Sequence, residues 1–257
     1  MAFESLPRPT IFAHRGASAY APENTLAAFR LAVEQKADAI ELDTKLTADG
    51  HVIVIHDQTL ERTTNGQGIV IQTPLAALRE LEAGSHFDAA FKGEKLPTLD
   101  EVFETVGRKI FINIEIANYA SMTDKLPEKV TELVKKFGLT QSVMFSSFNP
   151  LALRRAHRQL PEIPLGLLTV AGKSGTWARG WLGKLLVPYQ ALHPEKGDAT
   201  PALIQGAHKQ GKRVNVYTVN LRSDLEHLFT IGIDGVFTDD PPLAQQALAG
   251  LKVPSTG

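Results

Sequence analysis

Short apolar runs alternate along the chain with longer segments whose apolar residues recur every three or four positions. The short runs predict buried strands at residues 11–13, 39–43, 111–116, 142–145, 164–168, 191–193, 213–218 and 235–238. The longer segments have the spacing of helices packed on one side, at residues 25–35, 98–106, 122–137, 150–160, 200–210, 223–232 and 240–250. This alternation predicts parallel strands joined by right-handed crossovers.

One segment, residues 44–97, breaks the alternation. It contains another apolar run at 51–57, the turn pair Asn65-Gly66 and a short helix that begins at Thr73-Pro74. We therefore predict an α/β fold in one domain over residues 1–257, a TIM (β/α)8 barrel with a small inserted lobe after the second strand. A doubly wound sheet is the alternative, but no glycine-rich dinucleotide motif follows the first strand.

Acidic residues occur inside two of the apolar strands. Glu41 and Asp43 are two positions apart in the run 39–43, so both side chains point to one face of the strand. Glu115 is placed in the same way in the third predicted strand. Buried carboxylates lose hydration and repel one another, and a divalent cation is their usual partner. Oxygen ligands of this kind suit Mg²⁺, Ca²⁺ or Mn²⁺.

Other polar side chains also fall at the C-terminal ends of predicted strands. The whole set consists of His14, Glu41, Asp43, Glu115, His193 and Tyr217. In a TIM barrel the reacting groups lie at that end of the strands. The pattern therefore predicts a single site there, with His193 and Tyr217 as candidates for substrate contact.

Composition narrows the classes of partner. The chain is 43% hydrophobic with a net charge of -1, which argues against a broad nucleic-acid surface. It has no cysteine, which excludes thiolate chemistry and zinc–thiolate sites. Residues 1–10 hold two prolines and no long apolar run, so we expect neither a signal peptide nor stable membrane insertion, and a cytoplasmic location. The sequence does not predict the oligomeric state.

The stretch 171–190 departs from the barrel pattern. It carries Trp177 and Trp181 and several leucines among glycine, lysine and arginine. The simpler interpretation is a rim loop packed on the barrel. The alternative is a lid, or an apolar surface at residues 177–186 that contacts a lipid-like substrate or a membrane.

Seven short motifs, in this order, resemble those of the glycerophosphodiester phosphodiesterase family. They are His14-Arg15-Gly16, Pro22-Glu23-Asn24-Thr25, Glu41-Leu42-Asp43, His56-Asp57, Asn113-Ile114-Glu115-Ile116, residues 214–220 and residues 232–239. Each motif alone is weak, but together they cover nearly the whole chain. The resemblance implies a (β/α)8 barrel with an insertion after the second strand. It also implies hydrolysis of a small-molecule glycerophosphodiester to glycerol 3-phosphate and an alcohol.

The resemblance also implies roles for individual residues. His14 and His56 would be the catalytic acid–base pair, although which is acid and which is base stays open. Arg15 would contact the phosphate. One divalent cation, Mg²⁺ or Ca²⁺ with Mn²⁺ as a further option, would be held by Glu41, Asp43 and Glu115. The cation and Arg15 would together neutralise the charge that develops on the phosphate.

The chain departs from the family at two positions. The family commonly has a lysine two residues after the third acid, where this chain has Ala117. Asn118 or Lys45 could replace that phosphate contact, and the sequence leaves both open. Tyr217 stands where a tryptophan is common, and its ring would still form an aromatic wall beside the substrate, with a hydroxyl added.

Three other functions compete with this one. A lysophospholipase D type activity would be favoured by the tryptophan-rich stretch. A non-catalytic barrel that binds phosphorylated ligands would not need both histidines and all three acids. A metal-dependent amidohydrolase would need a His-x-His pair after the first strand, where this chain has only His14.

Overall fold

Eight parallel strands close into a barrel in the computed structural model, which describes residues 2–118, 123–172 and 186–252. The strands are β1 (Thr10–Ala13), β2 (Ala39–Leu46), β3 (Val52–Val54), β4 (Phe111–Ile116), β5 (Val143–Ser147), β6 (Leu165–Thr169), β7 (Ala191–Pro194), β8 (Arg213–Val216) and β9 (Gly235–Thr238). All except β3 belong to the barrel, which closes because β1 pairs with both β2 and β9. The predicted TIM barrel is confirmed.

Helices cover the outside of the barrel. They are α1 (Leu26–Glu34), α2 (Leu75–Glu80), α3 (Leu99–Val106), α4 (Leu126–Phe137), α5 (Pro150–Gln159), α6 (Pro201–His208), α7 (Arg222–Thr230) and α8 (Pro241–Lys252). The apolar faces of all of them except α2 pack against the outer faces of the barrel strands, whereas α2 packs in a separate apolar cluster outside the barrel. α3 starts with a capping box, in which Glu101 N donates to Thr98 Oγ1 and Thr98 N donates to Glu101 Oε2.

The lower part of the barrel interior is filled with aromatic and small side chains. Phe12 and Phe237 stack with their ring centres 4.6 Å apart. Phe3, from the segment before β1, packs below them in the same cluster as Phe111. This packing closes the N-terminal end of the barrel and leaves the C-terminal end for polar groups.

Strand β2 continues past the barrel and pairs with β3 in antiparallel fashion, with Thr44 opposite Val54 and Leu46 opposite Val52. Beyond β3, an apolar cluster of its own packs around Leu60, Leu78 and Leu96. Residues 44–46 are thus part of the second strand. The division into one domain with a lobe at 44–97 stays a prediction.

Two predictions concern membranes. None of the helices in the described part of the chain is long and apolar enough to cross a membrane. The apolar contact surface predicted at residues 177–186 falls outside the described residues, apart from Leu186.

Candidate active site at the C-terminal end of the barrel

Three buried carboxylates meet between β2 and β4. The parallel register places Asp43 opposite Glu115, and Glu41 is two residues earlier on the same face of β2. Each of the three offers an oxygen atom, and these atoms all lie within 4.8 Å of one another. The cluster that the strand alternation predicts is therefore present.

The electrostatics of this cluster favour a cation. Burial, followed by the charges of Asp43 and Glu115, raises the pKa of Glu41. Burial and Asp43 likewise raise the pKa of Glu115. The Oδ1 atom of Asn113, on the wall of the same cavity, has no hydrogen-bond partner within the described ranges. Three carboxylates and an amide oxygen fit a hard divalent cation, which would relieve both the repulsion and the unmatched acceptor.

Arg15 lies in the turn that follows β1 and contacts the acidic cluster. Its backbone N donates to Glu41 Oε2 at 3.0 Å, and its Nε lies 3.3 Å from Asp43 Oδ2. Its NH1 group donates to Glu23 Oε1 at 2.9 Å. Burial alone would lower the pKa of Arg15, but the carboxylates of Asp43, Glu23 and Glu41 raise it. Arg15 is therefore a fixed positive charge on the cavity wall.

Asn24 has a different role from the one its sequence suggests. A residue of this type just before a helix predicts an N-cap, but Thr25 is the cap of α1 and accepts from Ala28 N. Asn24 has a φ of 58°. Its Nδ2 donates to Asp43 Oδ2 at 2.8 Å, and its Oδ1 accepts from Asp43 N at 3.3 Å. It fixes the orientation of a candidate metal ligand.

His14 follows β1 and is held by a carboxylate from the end of β9. Its Nδ1 lies 2.7 Å from Asp239 Oδ1. Asp239 also accepts from Ser18 Oγ at 3.0 Å and from Asn220 Nδ2 at 2.5 Å. Burial alone would raise the pKa of Asp239, but the hydrogen bond with His14, then those from Ser18 and Asn220, lower it.

His56 lies just after β3 and has a carboxylate of its own. Its Nδ1 is 2.6 Å from Asp57 Oδ1. Arg62 donates two hydrogen bonds to Asp57, at 2.6 and 3.0 Å, and two more to Glu23, at 2.7 and 2.8 Å. The hydrogen bond from Arg62 holds the pKa of Asp57 well below its usual value, although burial raises it. Arg62 thus connects His56, through Asp57, to the carboxylate that holds Arg15.

These groups surround one cavity of about 200 Å³. Its lining consists of His14, Arg15, Glu41, His56, Asn113, Glu115, Phe148, Leu168, Tyr217, Thr218 and Phe237. The Tyr217 hydroxyl donates to Thr169 O at 3.0 Å, and its ring meets that of Phe148 edge to face. The predicted aromatic wall and both predicted histidines therefore face the same space as the acids.

His193 lies beneath this cavity. Its side chain is 0% exposed and packs against Phe237 and close to Gly166, where any Cβ would strike the ring. Its Nε2 lies 3.1 Å from Asn215 Nδ2, and burial lowers the pKa of His193 to about 3. A neutral ring packed inside the barrel does not reach the cavity, so a substrate contact by His193 stays a prediction.

The sequence-based site omits the residues that hold the predicted ones. These are Glu23, Asn24, Asp57, Arg62 and Asp239. Four of them lie in or beside the motifs, and a carboxylate next to a candidate catalytic histidine is a common means of orienting its ring. Arg62 has no such sequence feature, since only the fold brings it to Glu23.

Curated relatives are similar over nearly the full chain. The glycerophosphodiester phosphodiesterase of Caldanaerobacter subterraneus subsp. tengcongensis is 41% identical over 232 residues, 90% of this chain and 94% of that protein. The glycerophosphodiester phosphodiesterase of Bacillus altitudinis is 35% identical, covering 94% of this chain and 99% of that one.

Solved structures give the same result. A phosphodiesterase from Oleispira antarctica, in complex with the product sn-glycerol-3-phosphate, has a TM-score of 0.87 at 33% identity, covering 94% of this chain and 97% of that one. A glycerophosphodiester phosphodiesterase from Agrobacterium tumefaciens has a TM-score of 0.79 at 31% identity, covering 92% and 99%. The model of the glycerophosphoryl diester phosphodiesterase family matches residues 14–243. These matches confirm the resemblance drawn from the motifs: the chain belongs to the glycerophosphoryl diester phosphodiesterase family.

Proposed function

We propose that this chain is a metal-dependent phosphodiesterase that hydrolyses glycerophosphodiesters to glycerol 3-phosphate and an alcohol. The observation that carries the proposal is the convergence of two carboxylate-bound histidines, one arginine and three acids on one cavity. The relatives named for this activity, and the product complex of the similar Oleispira enzyme, support the choice of substrate class.

Glu41, Asp43 and Glu115 would hold one divalent cation, Mg²⁺ or Ca²⁺, with Mn²⁺ as a further option. When bound, the cation supplies a positive charge that polarises the phosphoryl group. Asn24 and Arg15 keep Asp43 and Glu41 in position through the hydrogen bonds described above.

Arg15 would bind the phosphate. Its guanidinium already carries a fixed positive charge beside the acids, and a charged donor to a phosphate oxygen forms a strong hydrogen bond. Tyr217 would form the aromatic wall that orients the glycerol part of the substrate. Both residues act by binding and neither needs to exchange a proton.

His14 and His56 would transfer the protons. A carboxylate at Nδ1 is an acceptor, so Nδ1 carries the hydrogen and Nε2 is the nitrogen left for exchange. One Nε2 takes a proton from the attacking water as the new P–O bond forms. The other Nε2 gives a proton to the alcohol oxygen as its P–O bond breaks.

A cytoplasmic location and the absence of a nucleic-acid partner stay predictions from the sequence. The proposed mechanism assigns no step to His193, whose ring is 0% exposed, and the substrate contact predicted for it stays a prediction. The lysophospholipase alternative rests on residues outside the described ranges.

The test is the release of glycerol 3-phosphate from a panel of glycerophosphodiesters and one lysophospholipid, with and without chelator. We expect glycerol 3-phosphate to be released from the glycerophosphodiesters. Chelator should abolish this release, and added Mg²⁺, Ca²⁺ or Mn²⁺ should restore it. Glu41→Gln and Asp43→Asn should weaken cation binding, measured by calorimetry, whereas Glu132→Gln on the exposed face of α4 should not.

Two results would contradict the proposal. Full turnover after exhaustive removal of metal would contradict the metal dependence. Turnover of the lysophospholipid alone would favour the lysophospholipase D type activity instead.

A further inference from the structure

Position 117 lacks the lysine that the family commonly places there, and the structure shows which residue faces it. Asp43 lies opposite Glu115 and Thr44 opposite Ile116 in the parallel register of β2 and β4. The next pair along both strands is Lys45 and Ala117. The contact agrees with this register, because Lys45 Nζ donates to Ala117 O at 3.2 Å.

Lys45 shares its face of β2 with two of the acids. Glu41, Asp43 and Lys45 alternate along one continuous strand, so their side chains leave it on the same side. Lys45 is only 8% exposed. Burial lowers its pKa, and the carboxylates of Asp43 and Glu115 oppose that shift in part because they favour the ammonium form. A buried ammonium therefore lies one residue pair further along the strands than the carboxylate cluster.

Asn118 is a weaker candidate for this role. Its Nδ2 donates to Asp124 Oδ1 at 3.2 Å, and its Oδ1 accepts from Asn149 Nδ2 at 3.3 Å. These bonds hold the chain between β4 and α4. A neutral amide already used in this way offers a phosphate much less than an ammonium does.

The space around the ammonium allows it to move. Lys45 and Ala117 line a second, small cavity of about 60 Å³, which is separate from the site cavity. The lysine stem has four flexible carbons, so the ammonium can reach a new partner without a change in the strand. A lysine at 117 would compete for this same space.

We propose that Lys45 binds the phosphate of the substrate from β2, in place of a lysine at position 117, just after β4, that the resemblance to the family leads us to expect. The inference rests on the proposed function, since it names a further contact to the same phosphate. It predicts that the two positions are exchangeable: the site needs one lysine in the pair 45 and 117, and either strand can supply it.

The test compares wild type with Lys45→Met, Ala117→Lys and the double variant. The readouts are kcat/KM for glycerophosphocholine, the affinity for glycerol 3-phosphate by calorimetry, and the affinity for Mn²⁺. We expect Lys45→Met to lower kcat/KM and glycerol 3-phosphate affinity by roughly tenfold to hundredfold, as for loss of a charged hydrogen bond. Affinity for Mn²⁺ should not fall, because the variant removes a positive charge near the acids.

The double variant carries the decisive result. It should recover most of the lost affinity, whereas Ala117→Lys alone should gain none, because its ammonium would face that of Lys45. Lys109→Met is the matched control, since Lys109 is exposed just before β4, at the other end of the barrel. If Lys45→Met does not fold, Lys45→Gln retains a donor to Ala117 O and carries the same prediction.

The outcomes separate this inference from the proposed function. Normal glycerol 3-phosphate affinity in Lys45→Met or Lys45→Gln, or a double variant no better than the single one, would overturn the role of Lys45 alone. A wild type that neither hydrolyses glycerophosphodiesters nor binds glycerol 3-phosphate would overturn the function and this inference with it.

Discussion

The two histidines of the site have the same kind of hydrogen-bond partner but lie on different parts of the fold. Each has a carboxylate at Nδ1, at 2.7 Å for His14 and 2.6 Å for His56. His14 follows a barrel strand and its side chain is 18% exposed, whereas His56 follows β3 outside the barrel and is 42% exposed. The carboxylate of His14 is held by the neutral donors Ser18 and Asn220, whereas Arg62 holds that of His56.

This difference shows how a residue outside the barrel can be positioned as firmly as one on it. Packing and a rigid strand fix the backbone of His14. The less buried His56 is instead fixed by charged hydrogen bonds, which are about twice as strong as neutral ones. The same Arg62 reaches Glu23 and hence Arg15, so the His56 side of the site is tied to the phosphate side.

The largest effects should come from the histidines themselves. His14→Ala and His56→Ala should each lower kcat by roughly 10²-fold or more, because each removes a proton-transfer group. The double variant should lose less than the product of the two single losses, since the pair acts as a unit. Steady-state kinetics on glycerophosphocholine, with circular dichroism as the control for folding, measures both. Near-normal turnover in either single variant would remove that residue from the mechanism.

The supporting carboxylates come next. Asp239→Asn and Asp57→Asn should each lower kcat about 10- to 100-fold, the usual cost of losing the partner that fixes an imidazole. KM should change little, because neither carboxylate lies on the cavity wall. Asp224→Asn, on α7, is a matched control. If KM rose while kcat held, the carboxylates would act in binding and not in orienting the rings.

The side chains that donate hydrogen bonds to Asp57 and Asp239 should differ in their effect on the two histidines. Arg62→Gln should cost about tenfold in kcat and Asn220→Ala about threefold, as expected for a charged and a neutral hydrogen bond. The first loss should grow more than the second as the pH falls from about 7 to 5, because Arg62 is the largest influence on the pKa of Asp57 whereas Asn220 is a minor one on that of Asp239. Arg62 holds the pKa of Asp57 below its usual value, so without Arg62 the carboxyl binds a proton at higher pH and releases His56.

A pH series of kcat for wild type and both variants measures this difference, and Arg62→Lys should recover part of the loss. Equal losses at every pH for Arg62→Gln would show that Arg62 only supports the local structure. A loss for Asn220→Ala that grew as steeply as that for Arg62→Gln would remove the contrast between the two sides.

The elements that the sequence predicts well are those with a strong local pattern. The period of two in β2 and β4 placed Glu41, Asp43 and Glu115 correctly, because strand alternation is fixed by the backbone. Asn24 has the sequence position of a helix cap, and the sequence does not show that its amide reaches Asp43 on another element. His193 stands at the end of a strand like the other site residues, yet the aromatic packing inside the barrel covers it.

The smallest expected effect concerns stability. Burial alone would raise the pKa of Glu23, but hydrogen bonds and charges from Arg62 and Arg15 lower it from 4.5 to about 2. A carboxyl whose pKa is lower in the folded state adds stability above its unfolded pKa, and this contribution is lost as the pH falls towards the folded value. Glu23→Gln should therefore lower the free energy of unfolding by about 1–3 kcal/mol at pH 7, and by progressively less below about pH 5.

Urea unfolding between pH 7 and pH 3 measures the difference, with the exposed substitution Glu132→Gln as the control. A difference between wild type and Glu23→Gln that stayed constant over this range would show that the ion pairs with Arg62 and Arg15 do not stabilise the fold. The firm support of His56 would then have to come from the packing around Leu60 and not from charge.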